Sequence, residues 1–291
     1  MALLSSAAGK IIGERIVEIT PRMTMAYAVA IGALDECYMD DLLPGGIVAP
    51  PPFCVALEWP LLFDERCRAL TGTTKDDAWG GIHVQQDTTF HRVIRPGDKL
   101  RTTARTVQVR ATKAGALTVT KLDTNEAQSN TPVVTSWVSI IFRGLYVDGP
   151  SVSREESPAL RADDDLVLPV THAVRVEIPR SLPHAYTECS GIWNPIHTER
   201  RMAKSKGLPD IILHGSCTWA LAAKETIRHF GGGDPARLRR FAGRFEAPVI
   251  PGAYADILLA APASEGPVEF VVQNATGALA IANGMAELRP A

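Results

Sequence analysis

Apolar and polar positions follow the same course twice along this 291-residue chain. The first half carries "RIVEITPRMTMAYAVAIGA" and the second "VRVEIPRSLPHAYTECSGI". Each alternates briefly as a strand, ends that strand on Ile, then turns through a polar start into a helical stretch holding an Ala-Tyr pair. Next come "PPPFCVALEWPLLF" and "ILHGSCTWALAAKETIRHF", apolar runs of helix length. "FHRVIRPGDKLRTTARTVQVR" and "FEAPVIPGAYADILLAAPA" follow, each leading from an aromatic through a Pro-Gly turn into an alternating strand. The first half continues through strands "GALTVTKLDTNEA" and "TPVVTSWVSIIFRG". The second closes with "VEFVVQNATG" and "ALAIANGMAEL", a hairpin around Thr276-Gly277.

The pattern predicts two α+β units, each one long helix wrapped by a curved antiparallel sheet, which lets an apolar helix be buried on nearly all sides. Val147–Pro169, rich in Pro, Ser and charge, reads as the linker between a unit of residues 1–146 and one of 170–291. Paired in tandem, the two sheets would cover edges otherwise open to other chains.

Composition narrows the function classes. Lys plus Arg number 30 and Asp plus Glu 32, for a net charge of -2, so no nucleic-acid or anionic-membrane partner is expected. No run approaches the ~20 apolar residues of a membrane helix. Lys10 and Glu14 break the N-terminal apolar stretch, and "ELRPA" is no peroxisomal address, so the expected location is the cytoplasm. The sequon at Asn274 then reads as an accident. Five cysteines at irregular spacing, Cys37, Cys54, Cys67, Cys189 and Cys217, form no zinc pattern and read as reduced thiols; no metal and no cofactor is expected.

Chemistry concentrates in "YTECSGIWNPIHTERRMAKSKGLPDIILHG", Tyr186 to Gly215. Ser190, Gly191, Asn194, Pro195, Ile196 and His197, followed by Ile212, His214 and Gly215, resemble the signature of the MaoC-like, or (R)-specific enoyl-CoA hydratase 2, family. "HGSCTWALAA" and "RFEAPVIPGAY" resemble its double-domain members, as do "PPPFCVALEWP" and "FHRVIRPGDKL" in the first half. The resemblance implies a tandem (double) hot-dog fold with one site in the second half and a substrate tunnel shaped by the first. It also implies a lyase acting on an acyl-CoA or acyl-carrier thioester, and relatives of this fold often dimerise.

In that family an Asp and a His hold one water, and backbone amides at a helix start meet the thioester oxygen. Here His197 is the expected base, with Asn194 beside it among the catalytic positions. Gly215, His214 and Ser190 support the oxyanion site and its loop. Tyr186 and Trp193 read as packing. The family's Asp corresponds to Ile192, which neither titrates nor accepts a hydrogen bond. Loss of a general acid or base costs about 10²–10⁴-fold. Three routes stay open: Glu188 or His83 supplies the missing group; His197 works alone, in a dehydration or related proton transfer; or the chain is a catalytically silent thioester-binding or partner subunit.

Overall fold

The computed structural model describes residues 2–160, 168–261 and 266–290. Two short segments open the chain, β1 (Ala2–Leu4) and β2 (Ile11–Glu18). Five helices follow: α1 (Pro21–Ala30), α2 (Glu36–Met39), α3 (Val55–Phe63), α4 (Glu65–Thr71) and α5 (Lys75–Trp79). Four long strands complete the first unit: β3 (Gly81–Phe90), β4 (Lys99–Thr112), β5 (Gly115–Glu126) and β6 (Pro132–Phe142). After the short β7 (Tyr146–Asp148) and β8 (Val152–Ser153) come β9 (His172–Ile178), α6 (Leu182–Ser190), α7 (Arg200–Ser205) and α8 (Gly215–Phe230). The last strands are β10 (Leu238–Phe245), β11 (Ala253–Ala260), β12 (Val268–Asn274) and β13 (Leu279–Leu288).

The repeated pattern has a repeated structure. One sheet runs in the order β2-β4-β5-β6-β3-β10-β13-β12-β11-β9, so the second half mirrors the first strand for strand about the β3–β10 seam. At equivalent places the Gly97 amide donates to the Ile19 carbonyl (2.8 Å) and the Gly252 amide to the Ile178 carbonyl (2.6 Å). Gly97 (φ 91°) and Gly252 (φ 89°) both occupy the left-handed region that glycine enters without steric cost. The repeated Ile and the repeated Pro-Gly turn are thus the two ends of one contact. Across the seam Arg240 forks onto Asp87, whose side chain is 1% exposed; burial raises the carboxyl's pKa while the guanidinium pulls it back.

α8 lies against the sheet of its own half, and everything from Ser216 to Ala223 is buried. Small side chains at Ser216, Cys217, Ala220, Ala222 and Ala223 let strands approach it closely. Its counterpart in the first half is segmented rather than long. Pro51–Cys54 form a 3-10 turn before α3, which runs through Pro60 and stops at Phe63, where Asp64 turns extended (φ -71°, ψ 168°). Asp64 then caps α4 through the Cys67 amide (2.7 Å), and Gly72 ends it at φ 77°. A Thr74–Asp77 capping box starts α5. The first half therefore delivers three short helices where the second delivers one. Of the expected linker, β7 and β8 pair with β1 and β4, while residues 161–167 lie outside the described residues. The Thr276-Gly277 turn joins β12 to β13, with Asn274 Oδ1 accepting the amides of Thr276 and Ala278.

Candidate active site

Two histidines meet at the start of α8. The rings of His197 and His214 stack with centroids 3.6 Å apart and planes 21° from parallel. His197 leaves a 3-10 turn, Pro195–His197, that Asn194 caps by accepting the Ile196 amide (3.3 Å). The Pro195 ring and the Asn194 cap fix this turn locally. Asn194 Nδ2 donates to the Trp79 carbonyl at the end of α5 (3.4 Å), so both its polar atoms hold the loop and tie it to the first half. Ser190 donates to the Tyr186 carbonyl (2.6 Å) and accepts the Ile192 amide (3.3 Å), closing the turn after α6.

His197 Nδ1 lies 2.9 Å from the Ile212 carbonyl, an acceptor only, so Nδ1 carries the proton and Nε2 keeps its lone pair. Burial pushes the His197 pKa down to about 4, against the contribution of the Ile212 carbonyl, which raises it. His214 Nε2 lies 3.2 Å from Thr187 Oγ1. Burial first, and the neighbouring His197 second, hold its pKa well below the ordinary value. Both imidazoles are therefore neutral at pH 7. Thr187 is a residue that sequence reading missed; its place one turn from Ser190 on an apolar-faced helix gave no chemical signal.

His214 also caps α8. The Cys217 and Thr218 amides bond back to its carbonyl (3.0 and 3.1 Å), while those of Gly215 and Ser216 have no backbone partner among the described residues. Two free amides at the positive end of a 16-residue helix suit a developing oxyanion. A Cβ on Gly215 would lie 3.2 Å from Phe245 Cδ1, so glycine is needed for this close approach. In the first half the residue facing the corresponding tyrosine is Pro52, which has no N–H to offer.

Ile192 is 5% exposed and belongs to the main core cluster. Glu188 stands on the exposed face of α6. His83, on β3, sits against Trp59 and Phe245 (centroids 4.8 and 4.2 Å); its ring nitrogens are buried and make no well-formed hydrogen bond among the described residues, though the nearby Gln85 backbone raises its pKa against the effect of burial. Burial lowers its pKa to about 3. Among the described residues no carboxylate bonds either His197 or His214, and no cluster of side chains could hold a metal ion. Trp193 is half exposed beside the loop, whereas Tyr186 is fully buried. The Tyr186 hydroxyl bonds Ser216 Oγ (3.1 Å) and lies 3.2 Å from that of Tyr27, which donates to the Pro52 carbonyl (3.0 Å).

Tandem α+β units sharing one sheet, with a histidine loop leading into a buried helix, define the double hot-dog class; a neighbour of this fold is described in those words. A model of the MaoC like domain matches residues 169–261, and one of the FAS1-like dehydratase domain region matches residues 6–136. The chain thus carries a MaoC-like domain in its second half and matches a dehydratase-type region in its first. It is 26% identical over 268 residues to the 3-hydroxyacyl-thioester dehydratase Y of Mycobacterium tuberculosis, covering 87% of this chain and 85% of that protein. It is 31% identical over 142 residues to a probable enoyl-CoA hydratase 2 of Dictyostelium discoideum, covering 47% of this chain and 46% of the relative. The chain spans about half the length of the first curated relatives it matches, 46% and 51%. In structure it is similar to a MaoC-like dehydratase from Phytophthora capsici, with TM-score 0.83, 21% identity and coverage of 98% and 97% of the two chains.

Proposed function

We propose that this protein is a hydro-lyase that interconverts a 3-hydroxyacyl thioester and its trans-2-enoyl counterpart with His197 as the single base. The observation that carries the reading is the His197 tautomer: Nδ1–H is spent on the Ile212 carbonyl, so Nε2 keeps its lone pair on a ring stacked against His214, the residue that precedes the amides of Gly215 and Ser216. In the dehydration direction Nε2 takes the C2 proton as negative charge builds on the thioester oxygen, which the two amides receive. The C3–O bond then breaks, and the imidazolium returns the same proton to the departing hydroxyl, which leaves as water. One residue serves as base and then acid, and no carboxylate is consumed.

Asn194 and Ser190 are positioning residues in this scheme, because each spends its polar atoms on the loop. His214 places Gly215 and keeps His197 in plane. The relatives named as a hydratase and as a thioester dehydratase support the substrate class. The same proposal takes the units to be residues 1–146 and 170–291, joined by 147–169, and the thioester to be carried on CoA or a carrier protein. It also includes a cytoplasmic location, supported by five free cysteines, and a homodimer, supported by exposed Val29, Leu34 and Leu42. No helix among the described residues is long and apolar enough to cross a membrane. The test is turnover of 3-hydroxyacyl-CoA and trans-2-enoyl-CoA by the wild type and by His197→Ala. Turnover lost in the variant supports the reading; equal turnover in both sinks it.

A further inference from the structure

Among the described residues five threonines lie inside α-helices, and four of them behave alike. Thr24, Thr71, Thr218 and Thr226 each donate their hydroxyl to a carbonyl three or four residues back, at 3.0, 2.8, 3.3 and 2.9 Å. That local bond is a common use of a threonine hydroxyl within a helix. Thr187, on α6, departs from it. It is 3% exposed, and its side chain makes one hydrogen bond among the described residues, the 3.2 Å contact with His214 Nε2.

A buried hydroxyl proton needs an acceptor, and the lone pair of His214 Nε2 is the one this hydroxyl meets. Thr187 therefore donates and Nε2 accepts, which leaves the His214 proton on Nδ1. That nitrogen makes no well-formed hydrogen bond among the described residues, yet the backbone of Ile192 lies close enough to raise the ring's pKa, as a carbonyl facing an N–H does. Ile192, whose side chain offers no polar atom, thus takes part through its backbone. His197 is held from the opposite side. Its Nδ1–H meets the Ile212 carbonyl at 2.9 Å, and the Ile212 amide returns to the Ile196 carbonyl at 3.4 Å. Each ring is tied to the segment leading into the other, and the two stack with centroids 3.6 Å apart.

Two neutral imidazoles in one stack carry two Nε2 lone pairs, and nothing in the imidazole itself says which of them takes a proton. We propose that Thr187 is a positioning residue that makes this choice: its hydroxyl occupies the His214 Nε2 lone pair, fixes the His214 ring, and leaves His197 Nε2 as the base. This rests on the thioester reading of the His197 site. Without the hydroxyl, the His214 ring is free to flip or to move its proton to Nε2, and the His197 ring stacked on it shifts as well. The chemical step then suffers more than thioester binding, because Thr187 acts through His214.

The test records the ring nitrogens of isotope-labelled histidine by NMR in the wild type, Thr187→Val, Thr187→Ser and His197→Ala. The wild type is expected to show two neutral Nδ1–H rings in the site; His197→Ala removes one and so identifies the other as His214. Thr187→Val is expected to move the His214 Nε2 signal to that of an unbonded lone pair, or to shift the proton to Nε2. Thr187→Ser, which keeps the hydroxyl, returns it. With a 3-hydroxyacyl-CoA as substrate, Thr187→Val is expected to lower kcat by about 3- to 10-fold at unchanged KM, the worth of one hydrogen bond, and Thr187→Ser to recover it. An Nε2–H ring at His214 in the wild type, a reading that needs no variant, overturns the proposal. So does a Thr187→Val protein with wild-type kcat or with unmoved His214 signals. If the wild type turns over no thioester, the thioester reading falls by itself, and the spectra alone uphold or overturn the Thr187 assignment.

Discussion

The hydroxyls of Tyr27 and Tyr186, 159 residues apart in sequence, lie 3.2 Å from each other in the core between the two units. They are the two tyrosines of the repeated Ala-Tyr pair, and each bonds the segment that opens the helix of its own unit, Pro52 in one and Ser216 in the other. The contact couples the fold's internal symmetry to the site, because Ser216 supplies one of the two free amides. Tyr27→Phe and Tyr186→Phe are expected to cost about 1 kcal/mol each, and the double variant less than their sum. Denaturant midpoints of the four proteins measure this. Tyr186→Phe is also expected to lower kcat, whereas Tyr27→Phe changes it less.

His197→Ala is expected to reduce kcat by about 10²–10⁴-fold with little change in stability. The wild-type acid limb should lie unusually low. With the His197 pKa at about 4, Nε2 stays unprotonated well below neutral pH, so kcat/KM holds from pH 8 to about 5 and falls only as the imidazole gains its proton. An acid limb near the ordinary histidine value, about 6.5, contradicts the burial argument.

Stability should fall with acid over a window the histidines define. His83, His197 and His214 all have folded-state pKa values below the unfolded value, so unfolding takes up protons. Their contribution is complete above about pH 6.5 and is lost as pH drops through about 4 for His197 and toward about 3 for His83. Melting temperatures recorded between these limits should decline, and His83→Phe should flatten part of the slope.

Ile192→Asp restores a carboxylate beside the His197 loop. It places an acid where the core now holds a side chain 5% exposed, at a stability cost of about 1–3 kcal/mol. Hydration of short trans-2-enoyl thioesters is expected to rise, because a second group can then orient the attacking water. A variant that folds but hydrates no faster than the wild type would show that the site is built for one base.

Gly215→Ala adds a methyl group 3.2 Å from Phe245 Cδ1. Phe245 must move, and the Gly215 and Ser216 amides shift with the helix start. A fall of about tenfold to 10²-fold in kcat is expected, with a modest effect on the melting temperature. Phe245→Leu in the same background should recover part of the rate.

Much of this was legible in the chain because it is carried by local rules. Period-2 and period-3.6 patterns gave the order of strands and helices twice over, and the Pro-Gly turns at Gly97 and Gly252 marked equivalent corners. Asn194, Pro195 and His197 announced a rigid histidine turn, since proline and a capping amide shape the backbone within a few residues. The first-half helix is segmented at Asp64, whose side chain caps the next helix, yet the long apolar run before it outweighed one polar residue in the periodicity. What only the tertiary structure decided involves residues brought together across long stretches of chain. The His197–His214 stack, the neutral state of both rings and the Thr187 contact depend on how tightly α6 and α8 pack, and burial has no local signature. The packing of His83 between Phe245 and Trp59 joins strands and helices of both units, so its buried, unpaired ring nitrogens became visible only once the sheet had closed around them.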